Sequence, residues 1–193
     1  HIDVILSALG DEQLYCKPSK CEFAMSEVKF LGHIVSGESI GPDPDKLAAV
    51  KTWAVPACVK DIRRFLGFAN YFRRFIHDYA TIARPLEEMT GKYAQFSWRA
   101  QQQQAFDALC AALMSAPVLR LADVAKPFRV VTDASDIAIC GVLLQQDSDS
   151  AWHPIAYTSR RLRQEEQNYT AMERETLAAI HALRVGKLPV QAL

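Results

Sequence analysis

Four carboxylates stand in patterns that could support metal chemistry. Asp133 and Asp136 lie in "VVTDASD", at the end of an apolar run, and Glu173 and Glu175 lie in "AMERETLAAI". Carboxylates gathered around two divalent ions about 4 Å apart can activate a water and stabilise a leaving oxygen. Mg²⁺ suits this chemistry because it takes oxygen ligands and keeps waters that can react. A strand and a facing helix would hold such a site rigidly.

Each of these carboxylates also has an ordinary structural interpretation. Taken alone, Asp133 is better explained as the polar end of a strand, and Asp136 as part of the following turn. Thr170 and Glu173 have the spacing of a helix capping box, which leaves Glu175 freer for chemistry. The helical wheel does not separate the two glutamates, since both flank the apolar stripe. These residues by themselves leave the choice between a site and a scaffold open.

A second candidate surface lies on the helix predicted over residues 59–76. Its apolar residues recur at i, i+3, i+4 and i+7, which is typical of an amphipathic helix. A polar and basic set gathers on the opposite face. The apolar set is Ile62, Phe65, Leu66, Ala69, Phe72 and Ile76, and the basic face consists of Lys60, Arg63, Arg64, Gly67, Asn70, Tyr71 and Arg74.

The glycine on this basic face needs a physical reason. A glycine inside a helix costs about 1 kcal/mol relative to alanine. Close approach of a nucleic-acid groove would explain Gly67, with flanking arginines contacting phosphates or groove edges. A solvated face with a break between two short helices explains the same residues equally well. Arg73, which the wheel turns toward the apolar side, favours a bend near Gly67.

Composition narrows the class of protein. The formal net charge is zero, so any electrostatic preference for nucleic acid or membrane must be local. Five scattered cysteines form no CxxC pair, which favours free thiols in a reducing compartment. No segment approaches the roughly 20 apolar residues of a membrane span, and the first residues lack the basic region of a signal peptide. We expect an intracellular protein of the cytoplasm or nucleus with no membrane partner.

The elements that must position these residues follow the order hairpin, helices, three-stranded meander, helix. Residues 1–9 are typical of the end of a helix. Antiparallel strands are predicted over residues 14–23 and 27–36, followed by a loop over 36–45. Helices are predicted from Pro44 to Pro56, over 59–76 and over 100–116. Strands over 127–135, 137–146 and 153–159 precede a last helix over 171–184. This pattern predicts an α+β chain.

Short motifs run in order through nearly the whole chain: KCEF, VKFLGHIVS, DPDKLAAVKTW, DIRRFLGFANYFRRFI, TDAS and HPIAY. Together they resemble the pol polyprotein of gypsy-type LTR retrotransposons, where the end of reverse transcriptase runs into RNase H. The resemblance implies the end of the polymerase palm with its hairpin over 1–43 and thumb helices over 44–98. A connecting helix and loop would follow over 99–126. The N-terminal half of an RNase H-like domain, three antiparallel strands and one helix, would occupy 127–193.

The resemblance implies nucleic-acid contacts in two places. Phe30-Leu31-Gly32-His33 match the primer grip, which holds the primer 3′ end. The helix over residues 61–75 resembles the thumb helix that tracks the minor groove, with Arg63, Gly67 and Tyr71 at groove-facing positions. The implied partners are an RNA–DNA hybrid and a template–primer duplex.

The resemblance also assigns the carboxylates. Asp133 matches the first metal-binding aspartate of RNase H, and Glu175 matches the second carboxylate, a choice that follows from its spacing to Ala182-Leu183. Both are therefore expected to be catalytic and to bind Mg²⁺, of which a complete RNase H site holds two ions. The implied parent enzyme is an RNA-directed DNA polymerase with ribonuclease H.

Parts of the family pattern are missing from this chain. The polymerase motif Tyr-x-Asp-Asp would lie before His1, and VGKLPVQAL after Arg184 leaves the pattern where a third and a fourth carboxylate would follow. Ala138 and Cys140 replace the glycines usual after TDAS, and we expect them to tighten or distort the second strand.

These departures predict a fragment with negligible turnover of its own. It would need the palm, the fingers and the rest of RNase H as partners, and its sheet would have an exposed edge. The alternatives are a nucleic-acid-binding module without catalysis and an inert transposon remnant.

Overall fold

The computed structural model describes residues 1–191, and their side chains as far as Val185. Two antiparallel sheets and six α-helices make up this part of the chain, which confirms the α+β class. The first sheet has the strand order β1-β2-β3-β4, with β1 (Glu27–Phe30), β2 (His33–Ser36), β3 (Ser39–Pro42) and β4 (Leu119–Arg120). The second has the order β5-β6-β7, with β5 (Phe128–Ala134), β6 (Ala138–Gln146) and β7 (Trp152–Arg161).

Four of the described α-helices lie between β3 and β4 in the sequence, within the span of the first sheet. The α-helices are α1 (Ile2–Asp11), α2 (Pro44–Lys51), α3 (Val59–Tyr71), α4 (Tyr79–Glu87), α5 (Ala100–Met114) and α6 (Ala171–Gln191). Short 3₁₀ turns span Pro18–Lys20, Arg73–Phe75, Glu88–Thr90 and Glu166–Asn168.

One aromatic core holds α3, α4 and α5 together. Phe65 of α3 is fully buried, and its ring centroid lies 5.5 Å from that of Trp53 and 4.7 Å from that of Phe106. Leu119 of β4 belongs to the same core, so the first sheet is anchored to the helices. Burial of one such large side chain contributes about 1.5–3 kcal/mol.

The second sheet packs against α6. Strand β5 alternates as predicted, with Asp133 on its exposed face and Thr132 on the half-buried face. A Cβ built on Gly141 of β6 would lie only 2.9 Å from Cβ of Ala182 in α6. The helix therefore lies almost directly on the backbone of the central strand, a closeness that glycine permits.

The N-terminal hairpin differs from the prediction. Residues 27–36 form both strands of the hairpin, because the chain reverses at Leu31 and Gly32, whose φ angles are +48° and +79°. Two positive φ angles in succession match the twist of the flanking strands. The predicted strand over 14–23 is wrong: this stretch contains the 3₁₀ turn that begins at Pro18, whose nitrogen cannot donate a ladder hydrogen bond.

Other elements escape the sequence prediction. Strand β3 lies within the predicted loop over 36–45, β4 is only two residues long, and α4 begins at a left-handed Asp78 and contains Pro85. Helix α3 runs unbroken through Gly67, so the alternative of a break between two short helices there is wrong. It ends at Tyr71 rather than Ile76, which is why Arg73 does not fit the wheel.

The expected distortion of the second strand is absent from the described residues. Strand β6 pairs with β5 in continuous register from Ala134↔Ile139 to Phe128↔Gln145. The register shift between β6 and β7 lies at Leu143/Leu144, away from Ala138 and Cys140. Among residues 1–191, no strand pairs with the free side of β5. Most of the divergent segment VGKLPVQAL lies outside the residues whose side chains are described.

Candidate functional site

The polar face of α3 is open to solvent. All but one of its predicted residues are exposed: Lys60, Arg63, Arg64, Gly67, Asn70 and Tyr71. A Cβ built on Gly67 would meet no atom within 4 Å, so packing within the described residues does not require a glycine there. The surface therefore has a shallow gap with basic side chains beside it.

Contacts with the rest of the chain hold the two arginines beside this gap. Arg63 Nη2 donates a hydrogen bond of 3.0 Å to the carbonyl of Thr90, and the Arg64 guanidinium lies 5.7 Å from the Trp53 ring centroid. Both side chains stay exposed. Arg74 differs, because it lies beyond the end of α3 in the following 3₁₀ turn and is half-buried.

The carboxyl end of α3 meets the tip of the first hairpin. The Tyr71 hydroxyl donates a hydrogen bond to the carbonyl of Leu31, and its ring stacks on His33 with centroids 5.1 Å apart and planes 13° apart. Phe30 and Leu31 are 60% and 72% exposed at the tip. The hairpin tip and the α3 face therefore form one continuous surface joined by Tyr71.

His33 behaves as a packed aromatic residue beneath that tip. It also contacts the rings of Phe72 and Phe75, with centroids 5.7 Å and 5.5 Å away. Burial lowers the pKa of His33, and the charge of Arg74 lowers it further. Nδ1 of His33 is buried and has no hydrogen-bond partner within the described part of the chain. His33 is therefore held neutral at physiological pH.

Asp133 and Glu175 are both exposed, near the end of β5 and in the second turn of α6. Oδ1 of Asp133 accepts a hydrogen bond of 2.9 Å from the Ala134 amide. Cys140, a free cysteine, is paired with Asp133 in the register. Burial raises the pKa of Cys140 to about 11, with further contributions from the charges of Asp78, Asp133 and Glu175. The fold thus brings both predicted carboxylates into the electrostatic surroundings of one thiol.

The other two carboxylates have structural partners. Glu173 accepts hydrogen bonds from the Thr170 amide at 2.8 Å and from its hydroxyl at 2.9 Å, which confirms the capping box. The Thr170 amide is the larger cause of the lowered pKa of Glu173. Asp136 is exposed and pairs with Arg174 of α6. Both side chains are therefore accounted for by structural contacts, without a role as metal ligands.

The donor set at Asp133 and Glu175 suits a hard cation but is small. Carboxylate oxygens are the ligands that Mg²⁺ prefers, and it often uses only one or two together with waters and substrate phosphates. Within the residues that the structure describes, no group of three or more His, Cys, Asp or Glu side chains could hold a metal ion. Asp133 and Glu175 therefore fit Mg²⁺ only with a phosphate or other ligands added.

Comparison with known proteins now identifies the family. The model of the RNase H-like domain found in reverse transcriptase matches residues 98–187. The retrovirus-related Pol polyprotein from transposon 297 of Drosophila melanogaster is 38% identical over 184 residues, 95% of this chain. The chain belongs to the Pol polyprotein family of retrotransposons. The transposon Tf2-3 polyprotein of Schizosaccharomyces pombe is 34% identical over the same share.

The Pol family members that match are much longer than this chain. It spans 17% of the transposon 297 polyprotein and 14% of the Tf2-3 polyprotein. Solved structures show the same fold. The foamy viral protease-reverse transcriptase in complex with RNA/DNA hybrid has a TM-score of 0.73 at 22% identity, over 89% of this chain and 23% of that one. A complex with double-stranded DNA has a TM-score of 0.71 at 23% identity, over 83% and 28%.

Two polar contacts of this Pol chain that the sequence does not predict join the helices to the second sheet. Arg73 donates a hydrogen bond to the carbonyl of Ser159, and the Ser159 hydroxyl accepts one of 3.0 Å from the Ala80 amide. A serine in a strand carries no local signal of such a contact. Only the failure of Arg73 to fit the helical wheel hints at a role away from the basic face.

Over the described residues, no helix has both the length and the apolar character needed to cross a bilayer.

Proposed function

We propose that this chain binds RNA–DNA hybrids and template–primer duplexes as the thumb and primer-grip part of a reverse transcriptase, and that its second sheet supplies the first two carboxylates of a ribonuclease H site. The polar face of α3 carries the proposal, because it is exposed and basic and has an open gap at Gly67. The foamy viral enzymes that share the fold were solved with an RNA/DNA hybrid and with double-stranded DNA, which supports a duplex partner.

The gap at Gly67 would let a duplex backbone approach the helix axis. A side chain at this position would extend into the space that a sugar or phosphate group needs, since no atom of the described residues occupies it. Lys60, Arg63 and Arg64 flank the gap and supply donors for phosphate oxygens, which fix the register of a protein on a duplex without reading sequence. The proposed contact is therefore tolerant of sequence and sensitive to salt.

The hairpin tip extends this surface toward the end of the primer. Phe30 and Leu31 are exposed at the tip, and apolar side chains can pack on the last sugars and bases. Tyr71 holds the tip at the end of α3. A primer strand that follows α3 would therefore meet the tip of the hairpin, which supports its role as the primer grip.

Asp133 and Glu175 are proposed as ligands for Mg²⁺ on the second sheet. When bound, the metal would supply an activated water and stabilise the leaving oxygen of the RNA strand. One oxygen of Asp133 is held by the Ala134 amide, which fixes the carboxylate while leaving further lone pairs for a cation. Glu175 is exposed and free of the capping role that Glu173 performs.

Substitution of Gly67 tests the duplex contact and separates it from folding. Gly67→Ala adds a good helix former in open space, so the free energy of unfolding should stay the same or rise by about 1 kcal/mol. The affinity for a fluorescent RNA–DNA hybrid should nevertheless fall about tenfold, which corresponds to about 1.4 kcal/mol. Fluorescence anisotropy and urea unfolding measure the two quantities on the same protein.

Gly10 provides the matched control. It also lies in a helix and a Cβ built on it also meets no atom within 4 Å, but it is far from α3 in the sequence. Gly10→Ala should leave hybrid affinity unchanged. Unchanged affinity in Gly67→Ala, and again in the bulkier Gly67→Leu, would rule out α3 as the groove-tracking helix.

Binding without turnover is the second candidate function, favoured by the small donor set. Hydrolysis by two metal ions uses several carboxylates, and the described residues offer no group of three ligands. We expect negligible cleavage of a labelled hybrid by this chain in Mg²⁺. Robust Mg²⁺-dependent cleavage that disappears in Asp133→Asn would contradict that expectation and make the chain a nuclease by itself.

A further inference from the structure

Helix α4 receives its N-terminal cap from the second sheet. The residue before the helix, Asp78, is left-handed with φ of +53°, and it makes no side-chain cap to the backbone. Its Oδ1 instead accepts a hydrogen bond of 2.8 Å from the hydroxyl of Thr81. The Ala80 amide, one of the free donors of the first turn, binds Oγ of Ser159 on β7 at 3.0 Å. Ser159 is only 2% exposed, so this hydrogen bond is shielded from water.

The carbonyl of the same serine is held from the other side. Arg73, just after α3, donates Nη2 to Ser159 O, and its guanidinium lies 5.5 Å from the ring centroid of Tyr79. Arg73, beyond the end of α3, and the first turn of α4 therefore bind the carbonyl and the hydroxyl of Ser159, respectively. Farther along, Arg161 of β7 lies 3.4 Å from a carboxylate oxygen of Glu88.

The position of Ser159 in the sheet connects this junction to Asp133. In the register, Ser159 pairs with Cys140, and Cys140 pairs with Asp133. The three residues form one row across the strands, and neighbouring strands lie about 4.8 Å apart. One end of the row is fixed to the start of α4, and the other end carries the candidate metal ligand.

We infer that Ser159 is a positioning residue: with Arg73 it fixes the row that carries Asp133 at a set distance from the duplex-binding face of α3. A bound RNA–DNA hybrid would then contact the protein in two regions, at α3 and around Asp133. The distance between these two regions, measured along the hybrid, would be constant. This consequence rests on the proposed hybrid binding, whereas the cap of α4 by Ser159 can be tested without nucleic acid.

Ser135 provides a matched control in the same sheet. Within the described residues its hydroxyl makes local hydrogen bonds in the turn between β5 and β6: it donates to the carbonyl of Ala138 and accepts from the amides of Ile137 and Ala138. Ser135→Ala therefore removes the same atom without touching the helices.

Hydrogen–deuterium exchange on the full chain tests the cap. In Ser159→Ala, amides of the first turn of α4 should exchange about fivefold faster, the effect expected from loss of a helix cap. Ser135→Ala should leave these amides unchanged. If Ser159→Ala exchanges like the unmodified chain at residues 79–83, the positioning role is excluded.

Hydroxyl-radical footprinting of an RNA–DNA hybrid tests the spacing. The unmodified chain should protect two patches, one from α3 and one from the second sheet. Ser159→Ala should still protect the patch contacted by α3. The patch contacted by the second sheet should be protected weakly or over a less sharply bounded stretch of nucleotides. General destabilisation would instead weaken protection of both patches. Two unchanged patches would overturn the inference.

A second variant covers the case in which Ser159→Ala does not fold. Arg73→Gln leaves the buried serine in place but removes the donor to its carbonyl, and it should blur the second patch in the same way. If the unmodified chain protects no patch at all, the proposed function fails, while the exchange measurement still decides whether Ser159 caps α4.

Discussion

The α3 surface and the Asp133 site differ in how they are built. The α3 surface comes from one helix and a two-residue turn, with Tyr71 and Leu31 in direct contact. The Asp133 site needs a strand, a helix far along the chain and the docking of a whole sheet. A surface on a single helix follows from local spacing, whereas a cluster of carboxylates depends on how distant elements pack. The residues of the first therefore lie on two neighbouring elements, whereas the described residues offer few ligands for the second.

The two regions also differ in what stabilises them. The helices enclose an extended core of aromatic and aliphatic side chains, whereas the second sheet and α6 share a small cluster of Ile139, Leu162 and Ala178. Among the residues whose side chains are described, the buried polar residues Gln145, Ser159 and Glu166 lie in or beside the second sheet. Five variants probe the two regions, beginning with the largest expected effect.

Phe65→Ala should produce the greatest loss, because it empties the centre of the helical core. Phe65 is fully buried, and large-to-small changes of this kind cost about 3–5 kcal/mol. Urea unfolding measures the loss. Tyr93→Ala, at a position 87% exposed, should change stability by no more than about 0.5 kcal/mol. A loss in Phe65→Ala as small as in that control would erase the contrast between the two regions.

Glu166→Gln tests the polar contacts beside the second sheet. Glu166 accepts hydrogen bonds from Arg160 at 2.7 Å and 3.0 Å and from the Arg163 amide at 2.8 Å. Mainly because of Arg160, the pKa of Glu166 falls from 4.5 to about 2. Its stabilisation is therefore present above pH 4.5 and is lost as the pH falls toward 2.

The variant should lose about 2 kcal/mol at neutral pH, and the difference from the unmodified chain should shrink as the pH drops through this window. Urea unfolding at several pH values measures it. Glu165→Gln, an exposed neighbour, is the control and should show no such pH dependence. If the difference in unfolding free energy between Glu166→Gln and the unmodified chain stayed constant from neutral pH down to 2, the ion pair of Glu166 with Arg160 would not be the source of the stabilisation.

Arg63→Ala combined with Arg64→Ala tests whether the α3 surface binds by charge. The affinity for a hybrid should fall about tenfold, and the slope of log affinity against log salt should become shallower by about 0.9 for each phosphate that is no longer neutralised. Lys17→Ala with Lys20→Ala removes the same charge from an exposed turn and should leave the slope unchanged. An unchanged slope in the arginine variant would show that α3 does not contact phosphates.

Tyr71→Phe should give the smallest effect, because it removes one hydroxyl and keeps the ring on His33. Loss of the bond to Leu31 should cost about 1 kcal/mol and speed amide exchange at the hairpin tip. Tyr15→Phe, at an exposed position, is the control.

Tyr71→Ala goes further and should raise the pKa of His33 toward 6.5, since part of its burial is lost. Imidazole proton NMR measures that shift. An unchanged His33 pKa in Tyr71→Ala, with normal exchange in Tyr71→Phe, would show that Tyr71 does not support the hairpin.

The sequence predicts the elements whose signals are local. The period of α3, the alternation of β5 and the capping box of α6 all appear in the structure, because each depends on residues a few positions apart. Helix α4 is hidden by Pro85 and by its left-handed start at Asp78. Strand β4 is hidden because its two residues become a strand only by pairing with β3.

The candidate site shows the same division. The carboxylates and the basic face can be selected from spacing and family resemblance. Their supports cannot, because the turn at Leu31 requires a left-handed leucine, and the contact between Ser159 and Ala80 joins residues 79 positions apart. Such contacts are decided by packing of the whole chain.

The close approach of α6 to β6 has a genetic consequence. Every single-nucleotide change of a glycine codon that alters the residue introduces a Cβ or a stop, and at Gly141 a Cβ would lie 2.9 Å from Ala182. Copies of a mobile element that drift without selection should lose this glycine as readily as any exposed one, such as Gly37. Copies whose product must still fold should keep it. Loss of the glycine at this codon therefore marks copies whose protein no longer has to fold in this way.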